Sequence, residues 1–270
     1  MCAFCSADAV EKGGEHIWDD WINKELPEGT YRARKQLSLD SPPIEYDAHI
    51  LNEKLPTVCS TCNSTWMGDL TAKTKLLFMR AILHGEPFTL NLRDAALLAA
   101  FAFMKAVVTD HAIDAEGHGP FFSRAARERF KSSLEVPPTV KIWLASFQGR
   151  ARMSTKNHFG VFNPVDNIDE PSPLNGHEFC SHTYVVGNLC LQLLGVRWKD
   201  IRNSGKPLLS LNPDAFWEPA ATLFWPYPGI VSWPPPKYLG DNIVQAFIYR
   251  FKTSVIIRMG RIGNDWYFLT

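Results

Sequence analysis

Two Cys-x-x-Cys pairs, Cys2/Cys5 and Cys59/Cys62, constrain this chain more than any other feature in it. Four thiols in two pairs are the ligand set of a tetrahedral, all-thiolate zinc site. The two intervening residues let a knuckle or a first helical turn aim both sulfurs of a pair at one ion. The alternative is four small buried thiols, and it fits poorly with the polar neighbours Ser6, Asp8, Ser60, Thr61 and Asn63. The gap between the pairs is wider than in compact zinc ribbons, so the expectation of zinc rests on ligand number. The first residues, Met-Cys-Ala-Phe-Cys, lead into charged sequence without the apolar core of a secretory signal. A cytoplasmic location is therefore expected, where thiols stay reduced and disulfides are not the first reading.

At 270 residues, with 46% hydrophobic and 21% charged side chains, the chain has apolar material for one large domain or two. Lys plus Arg equals Asp plus Glu, 28 each. A nucleic-acid partner usually leaves a basic excess, so any such footprint here must be local. The longest apolar stretch, Ala95–Val108, is interrupted by Lys105 and falls short of the about 20 residues a bilayer span needs. It is expected to be a buried helix, and no membrane partner is expected.

Along the chain, Ile17–Leu26 predicts a short helix. The stretch Pro27–Pro43, edged by Pro and Gly, predicts a loop carrying the basic run Arg32-Ala33-Arg34-Lys35. Ile44, Tyr46, Ala48 and Ile50 alternate with polar residues, as in a half-buried strand within an extended Ile44–Val58. After Cys62, Trp66, Leu70, Leu76, Leu77, Met79 and Ile82 recur at helical spacing up to His84-Gly85. Leu92–His111 predicts a central helix, apolar nearly all round, and Phe122–Leu134 a third helix with Arg and Lys on one face. Beyond Pro137-Pro138, Thr139–Phe147, His158–Phe162 and His182–Trp198 predict strands. Pro226–Pro236 predicts a surface segment, Asp241–Phe251 a last helix, and Ser254–Met259 and Trp266–Leu269 short strands. No internal repeat is visible.

Between the Cys pairs stands Glu15-His16-Ile17-Trp18, and directly after the second pair Asn63-Ser64-Thr65-Trp66-Met67. The joint order Cys-x-x-Cys, acidic-His-apolar, Cys-x-x-Cys-Asn, Trp-Met resembles the zinc-stabilised HNH (ββα-metal) endonucleases. The resemblance covers about the first quarter of the chain. It implies a ββα-metal, treble-clef-like zinc module over residues 1–70. The pattern of predicted helices and strands adds a helical layer over 71–136 and a mixed α+β region over 137–270, so an α+β protein is expected. That last region is open to recognition, homo-oligomerisation or regulation. The resemblance also implies roles. His16 is the general base, Glu15 and Asn63 bind a catalytic Mg²⁺ or Mn²⁺, and Cys2, Cys5, Cys59 and Cys62 bind a structural Zn²⁺. The segment between His16 and Cys59 is longer than in compact members, implying an inserted loop. Asn52, with His49 and Asp47 nearby, is the candidate for the family's central Asn.

The implied chemistry is hydrolysis of a phosphodiester, expected on DNA, with 5′-phosphate and 3′-hydroxyl products and a role in phage defence or restriction. An imidazole with a reference pKa near about 6.5 can take a proton from water at neutral pH. Mg²⁺ accepts one or two protein oxygens and keeps the rest of its shell for water and phosphate. Each residue also has a plain structural alternative: a satisfied core histidine for His16, a solvated turn carboxylate for Glu15, a helix cap for Asn63. Arg32, Arg34 and Lys35 are candidate phosphate contacts or simply a solvated loop, and Lys73, Lys75 and Arg80 are weaker candidates. Trp18, Trp21, Trp66 and Met67 are expected to wedge hairpin against helix rather than stack on bases. Cys180 and Cys190 are expected as buried thiols, and His111, His118, His177 and His182 show no ligand spacing. Two alternatives stay open: a non-catalytic zinc-knuckle binding or scaffold protein, and a nuclease directed at RNA, for which no stacking motif is visible.

Overall fold

The computed structural model of the chain describes residues 1–7, 14–25, 31–35, 44–48, 54–78, 85–112, 120–149, 153–165, 177–197, 221–235, 238–240, 256–262 and 265–269. Helices and strands are both abundant, and the fold is α+β. The chain divides into two compact units, residues 1–76 with 103–135, and residues 77–102 with 136–270.

The first unit begins with β1 (Glu15–His16), followed by α1 (Asp20–Glu25), β2 (Tyr31–Lys35), β3 (Ile44–Ala48) and β4 (Lys54–Leu55). β1 pairs antiparallel with β4, Glu15 opposite Leu55 and His16 opposite Lys54. Gly14 makes this pairing possible. Its φ is +66°, and an added Cβ would lie 2.7 Å from the Leu55 carbonyl oxygen, so any side chain is excluded on two counts. α2 (Ser60–Cys62) then leads through Asn63–Met67, a turn kinked at Thr65 (φ −105°, ψ −107°), into α3 (Gly68–Phe78). The turn swings Trp66 against Phe4 and Phe130, with ring centroids 4.9 and 5.8 Å away in edge-to-face contact.

The second unit opens with β5 (Phe88–Leu90) and the first half of α4 (Leu92–Ala112); the second half of α4 belongs to the first unit. Asn91 caps α4 by accepting from the Asp94 amide at 3.0 Å. The first unit closes with α5 (Arg124–Ser133), capped by Ser123 and ended by Leu134 at φ 57°. Phe103 on α4 packs edge-on to Phe122 and Phe130, each centroid 4.8 Å away. Two buried polar groups also anchor the start of α5. Asp110 accepts from the amides of Phe121 and Phe122, and Arg127 donates to the carbonyls of Phe122 and Ala3.

Beyond α5 come β6 (Val140–Phe147), β7 (Met153–Val165), β8 (His177–Val186), β9 (Leu189–Arg197), β10 (Thr222–Trp225), β11 (Val231–Trp233), β12 (Tyr238–Leu239), β13 (Ile256–Ile262) and β14 (Asp265–Leu269). Eight of these form one sheet in the order β10-β6-β9-β8-β7-β13-β14, with β12 beside β6. Only β12 on β6 and β13 on β7 run parallel. All of β6 and nearly all of β9 are buried, and Phe101 of α4 meets Tyr184 of β8. β11 pairs separately with β5.

Several expectations need correction. The stretch read as a loop around the basic run contains β2, which pairs with β3 as its own two-stranded sheet. β3 alternates as expected yet is not half-buried: Ile44 and Tyr46 are 61% and 41% exposed. Period-2 alternation reports that one face is apolar, not that something covers it. The single strand expected over His182–Trp198 is a hairpin, β8–β9, turning at Gly187-Asn188 with Gly187 at φ 53°. Pro226–Pro236 is not merely surface, because β11 lies within it. The helix expected at Asp241–Phe251, and Asn52 and His49, lie outside the described residues. No helix among the described residues is long and apolar enough to cross a membrane.

Candidate metal centre and active site

Cys2 and Cys5 lie on the N-terminal knuckle, Cys59 and Cys62 at the head of α2. The four sulfurs all fall within 4.8 Å of one another, and those of Cys5 and Cys59 are 3.6 Å apart. Four thiolates on a tetrahedral zinc, with bonds of about 2.3 Å, stand about 3.8 Å from each other. The cluster therefore fits a metal ion such as zinc. The knuckle is tied down independently of any ion: the Ala3 amide donates to the Thr57 carbonyl at 2.8 Å, and the Cys59 amide to the Cys2 sulfur at 3.4 Å.

The thiols differ in their ease of ionisation. Burial opposes charge on Cys2 but is outweighed by hydrogen bonds from the Cys59 and Phe4 backbone and from the Cys5 and Cys59 thiols, which bring its pKa down to about 7. Burial raises Cys5, and pushes Cys62 up to about 12. Of these three thiols only Cys2 is brought toward ionisation near neutral pH, so a cation that takes the cluster as thiolates must work against the burial of Cys5 and Cys62. α5 lines the cluster with cations at positions 124, 127 and 131. Arg124 donates to Ser6 Oγ, and Arg127 to the Ala3 carbonyl. At Lys131, burial would favour the neutral amine, and the Cys62, Cys5 and Cys2 sulfurs outweigh it. The basic face visible in the sequence of this helix thus serves the sulfurs.

Residues 15–20, from β1 to the first residue of α1, carry four titratable groups in two pairs. Glu15 and Asp19 turn inward onto Lys105 of α4, whose Nζ donates to Glu15 Oε1 at 2.8 Å, Asp19 Oδ1 at 2.9 Å and the His16 carbonyl at 2.8 Å. Lys105 is buried. Burial alone would strip its proton, but Asp19 and Glu15 more than offset this and raise its pKa, so the ammonium is retained. Burial pushes the Asp19 carboxyl up against the pull of Lys105. His16 and Asp20 face the other way. His16 Nε2 is 3.4 Å from Asp20 Oδ1, with Asp20 mostly exposed. His16 Nδ1 is sealed from solvent and has no hydrogen-bond partner among the described residues.

This arrangement differs from what the resemblance implies for Glu15. Its carboxylate is 4% exposed and committed to Lys105, so it does not fit a hydrated Mg²⁺ or Mn²⁺. Asn63 sits half-buried in the first turn after Cys59, its amide donating to the Cys59 carbonyl at 3.0 Å. Among the described residues the cysteines are the one grouping of His, Cys, Asp and Glu with metal-binding geometry. In the β2–β3 register Arg32 stands opposite Asp47 and Arg34 opposite Glu45, while Lys35 stands opposite Ile44. Lys75 lies over the Trp21 ring at 5.4 Å. Trp18, Met67, Cys180 and Cys190 are buried, as is His182, whose burial lowers its pKa to about 3.

Lys105, Asp19 and Asp20 were not among the residues singled out from the sequence, although a signal existed. A lone lysine in an otherwise apolar helix demands buried acceptors, and Asp19-Asp20 follows Glu15-His16 at a spacing of four. No protein-family model matches the chain, and comparison with curated proteins and with solved structures likewise returns no match.

Proposed function

We propose that the first unit is a zinc-stapled ββα nuclease centre of treble-clef type that hydrolyses phosphodiester bonds, on DNA in the first instance, with His16 as general base. The observation that carries this is the joint placement of β1 and β4. The strand bearing His16 pairs with the strand that leads directly into Cys59, so the imidazole and the cysteine cluster belong to one short strand–strand–helix unit. His16 Nε2 takes a proton from a water molecule as its oxygen attacks phosphorus. The phosphorus–O3′ bond breaks, and the leaving 3′ oxygen takes a proton from solvent. Zinc, held by Cys2, Cys5, Cys59 and Cys62, supplies the staple a unit of this size needs and plays no part in the bond change. Dependence on added Mg²⁺ or Mn²⁺ belongs to the proposal.

The test is cleavage of supercoiled plasmid by the full chain with Mg²⁺ or Mn²⁺. The reading expects product strands ending in 5′-phosphate, lost both in EDTA and on His16→Ala, the latter by about 10²–10⁴-fold. A folded, zinc-loaded chain inert on plasmid, single-stranded DNA and RNA would contradict it. The burial of Glu15 against Lys105 favours one second reading, a zinc-knuckle module that binds nucleic acid or protein without cutting. Cleavage of RNA alone would keep the centre and change its substrate.

A further inference from the structure

Residues 15, 16, 19 and 20 sort themselves by spacing. Glu15 and Asp19, four apart, both turn inward; His16 and Asp20, also four apart, meet on the outer side. The inward pair meets an ammonium with three donors, and three acceptors surround it: two carboxylates and the His16 carbonyl. That third contact matters most, because it fixes the backbone of the histidine itself. On the outer side the choice of nitrogen is forced. Nδ1 is enclosed, so His16 exchanges protons with water through Nε2, the nitrogen beside Asp20.

We propose that Glu15, Asp19 and Lys105 form a positioning clamp for His16, and that Asp20 is the carboxylate that works with its Nε2. The clamp holds the β1–α1 segment so that the ring presents one nitrogen outward. Asp20 then steadies the positive charge that forms on the ring as it takes a proton from water. This assigns the acidic partner of the histidine to the residue four positions after it, in place of the one immediately before. Its catalytic consequence rests on the nuclease reading above; the clamp and the Asp20 contact do not.

Two readouts on the full, zinc-loaded chain separate these. One is histidine side-chain ¹⁵N–¹H correlation NMR, with His16 assigned by its loss in His16→Ala. The other is plasmid cleavage resolved into kcat and KM. Asp20→Asn is expected to move the His16 Nε2 resonance and to lower kcat about tenfold, part of the about 10²–10⁴ that acid–base catalysis supplies, with KM and melting temperature held. Glu15→Gln keeps an oxygen acceptor for Lys105 but removes its charge, and is expected to lower kcat less than Asp20→Asn does. Lys105→Met is expected to displace the His16 resonances. Should it not fold, Glu15→Gln/Asp19→Asn/Lys105→Met removes the clamp without stranded charge and is expected to do the same. The proposal is overturned if Asp20→Asn leaves the Nε2 resonance in place, if the clamp-free variants leave the His16 resonances unmoved, or if Glu15→Gln abolishes cleavage with resonances and melting unchanged. A wild-type chain that cuts nothing removes the nuclease reading alone, and the resonances still decide the clamp and the Asp20 contact.

Discussion

The two compact units bury their polar atoms in opposite ways. In the first, the interior holds charge: Lys105 between two carboxylates, Arg127 on backbone carbonyls, Asp110 on backbone amides, and four thiols at one point. In the second, the described interior is an apolar sheet whose buried polar side chains, Lys141 apart, are neutral, and three of them form one hydrogen-bonded row. Thr183 donates to Gln192, and Gln192 to Ser181 at 2.7 Å. Burial shifts His182 down to about 3 and Cys190 up to about 12, so both stay uncharged there. A titratable group that burial holds neutral is packing material. A group held charged by partners, beside a histidine with solvent access, is where chemistry is to be sought.

That contrast can be broken at its strongest point by removing the metal ligand set. Cys62→Ser, or a strong chelator, is expected to unfold the first unit. A structural zinc contributes about 10–16 kcal/mol of apparent binding free energy, more than a typical domain's whole stability. The β-sheet unit is expected to survive, and limited proteolysis with mapped cut sites would show protection confined to residues 77–102 and 136–270. Uniform loss of protection in both units would erase the distinction.

Lys105→Met is expected to have the next largest effect. Two buried carboxylates without their cation cost about 3–5 kcal/mol, readable in urea melts of the first unit. Because the folded pKa of Lys105 is raised above its ordinary 10.5, the stabilisation that comes from this ammonium is present in full below that value. It is lost only as the pH rises through the folded value.

The second unit is expected to respond at the opposite end of the scale. His182 has its folded pKa lowered from 6.5 to about 3, so below 6.5 the unfolded chain binds a proton that the folded chain refuses. Stability therefore falls as the pH drops from 6.5 toward 3, by about 1.36 kcal/mol per unit from this residue. His182→Phe should flatten that slope in acid melts without touching the alkaline limb, and an unchanged slope would show that the acid response arises elsewhere.

The smallest effect is expected at the hairpin. If Asp47 and Glu45 balance Arg32 and Arg34, then Arg32→Gln/Arg34→Gln should change stability by less than about 1 kcal/mol. It should also leave the salt dependence of DNA binding unaltered. A slope reduced by about 0.9 per residue would instead make them phosphate contacts.

The parts of this account legible in the sequence were those that depend on local spacing. Two Cys-x-x-Cys pairs announce a metal centre because ligand spacing is a property of a few consecutive residues. The buried course of α4 follows from an apolar run with a single lysine in it. What that lysine meets is a tertiary fact, and no periodicity in residues 92–112 points to residues 15 and 19. β2 was hidden by Pro and Gly at its edges and by its charge, since strand signals weigh β-branched and aromatic residues. The β8–β9 turn was visible as Gly187-Asn188, a two-residue hairpin signal lost within a continuous strand-like run. That Glu15 turns inward onto Lys105 while Asp20 stays exposed beside His16 could not be read in sequence, because it depends on the direction the chain turns each acid.

The most direct measurement on the central claim is the zinc content and sulfur ligation of freshly purified chain, by elemental analysis with zinc X-ray absorption. One zinc per chain with four sulfur neighbours at about 2.3 Å, reduced in step with folding of the first unit in Cys5→Ser and Cys62→Ser, is the predicted result. A well-folded chain with less than about half an equivalent of zinc, or with zinc bound through nitrogen and oxygen, would contradict it.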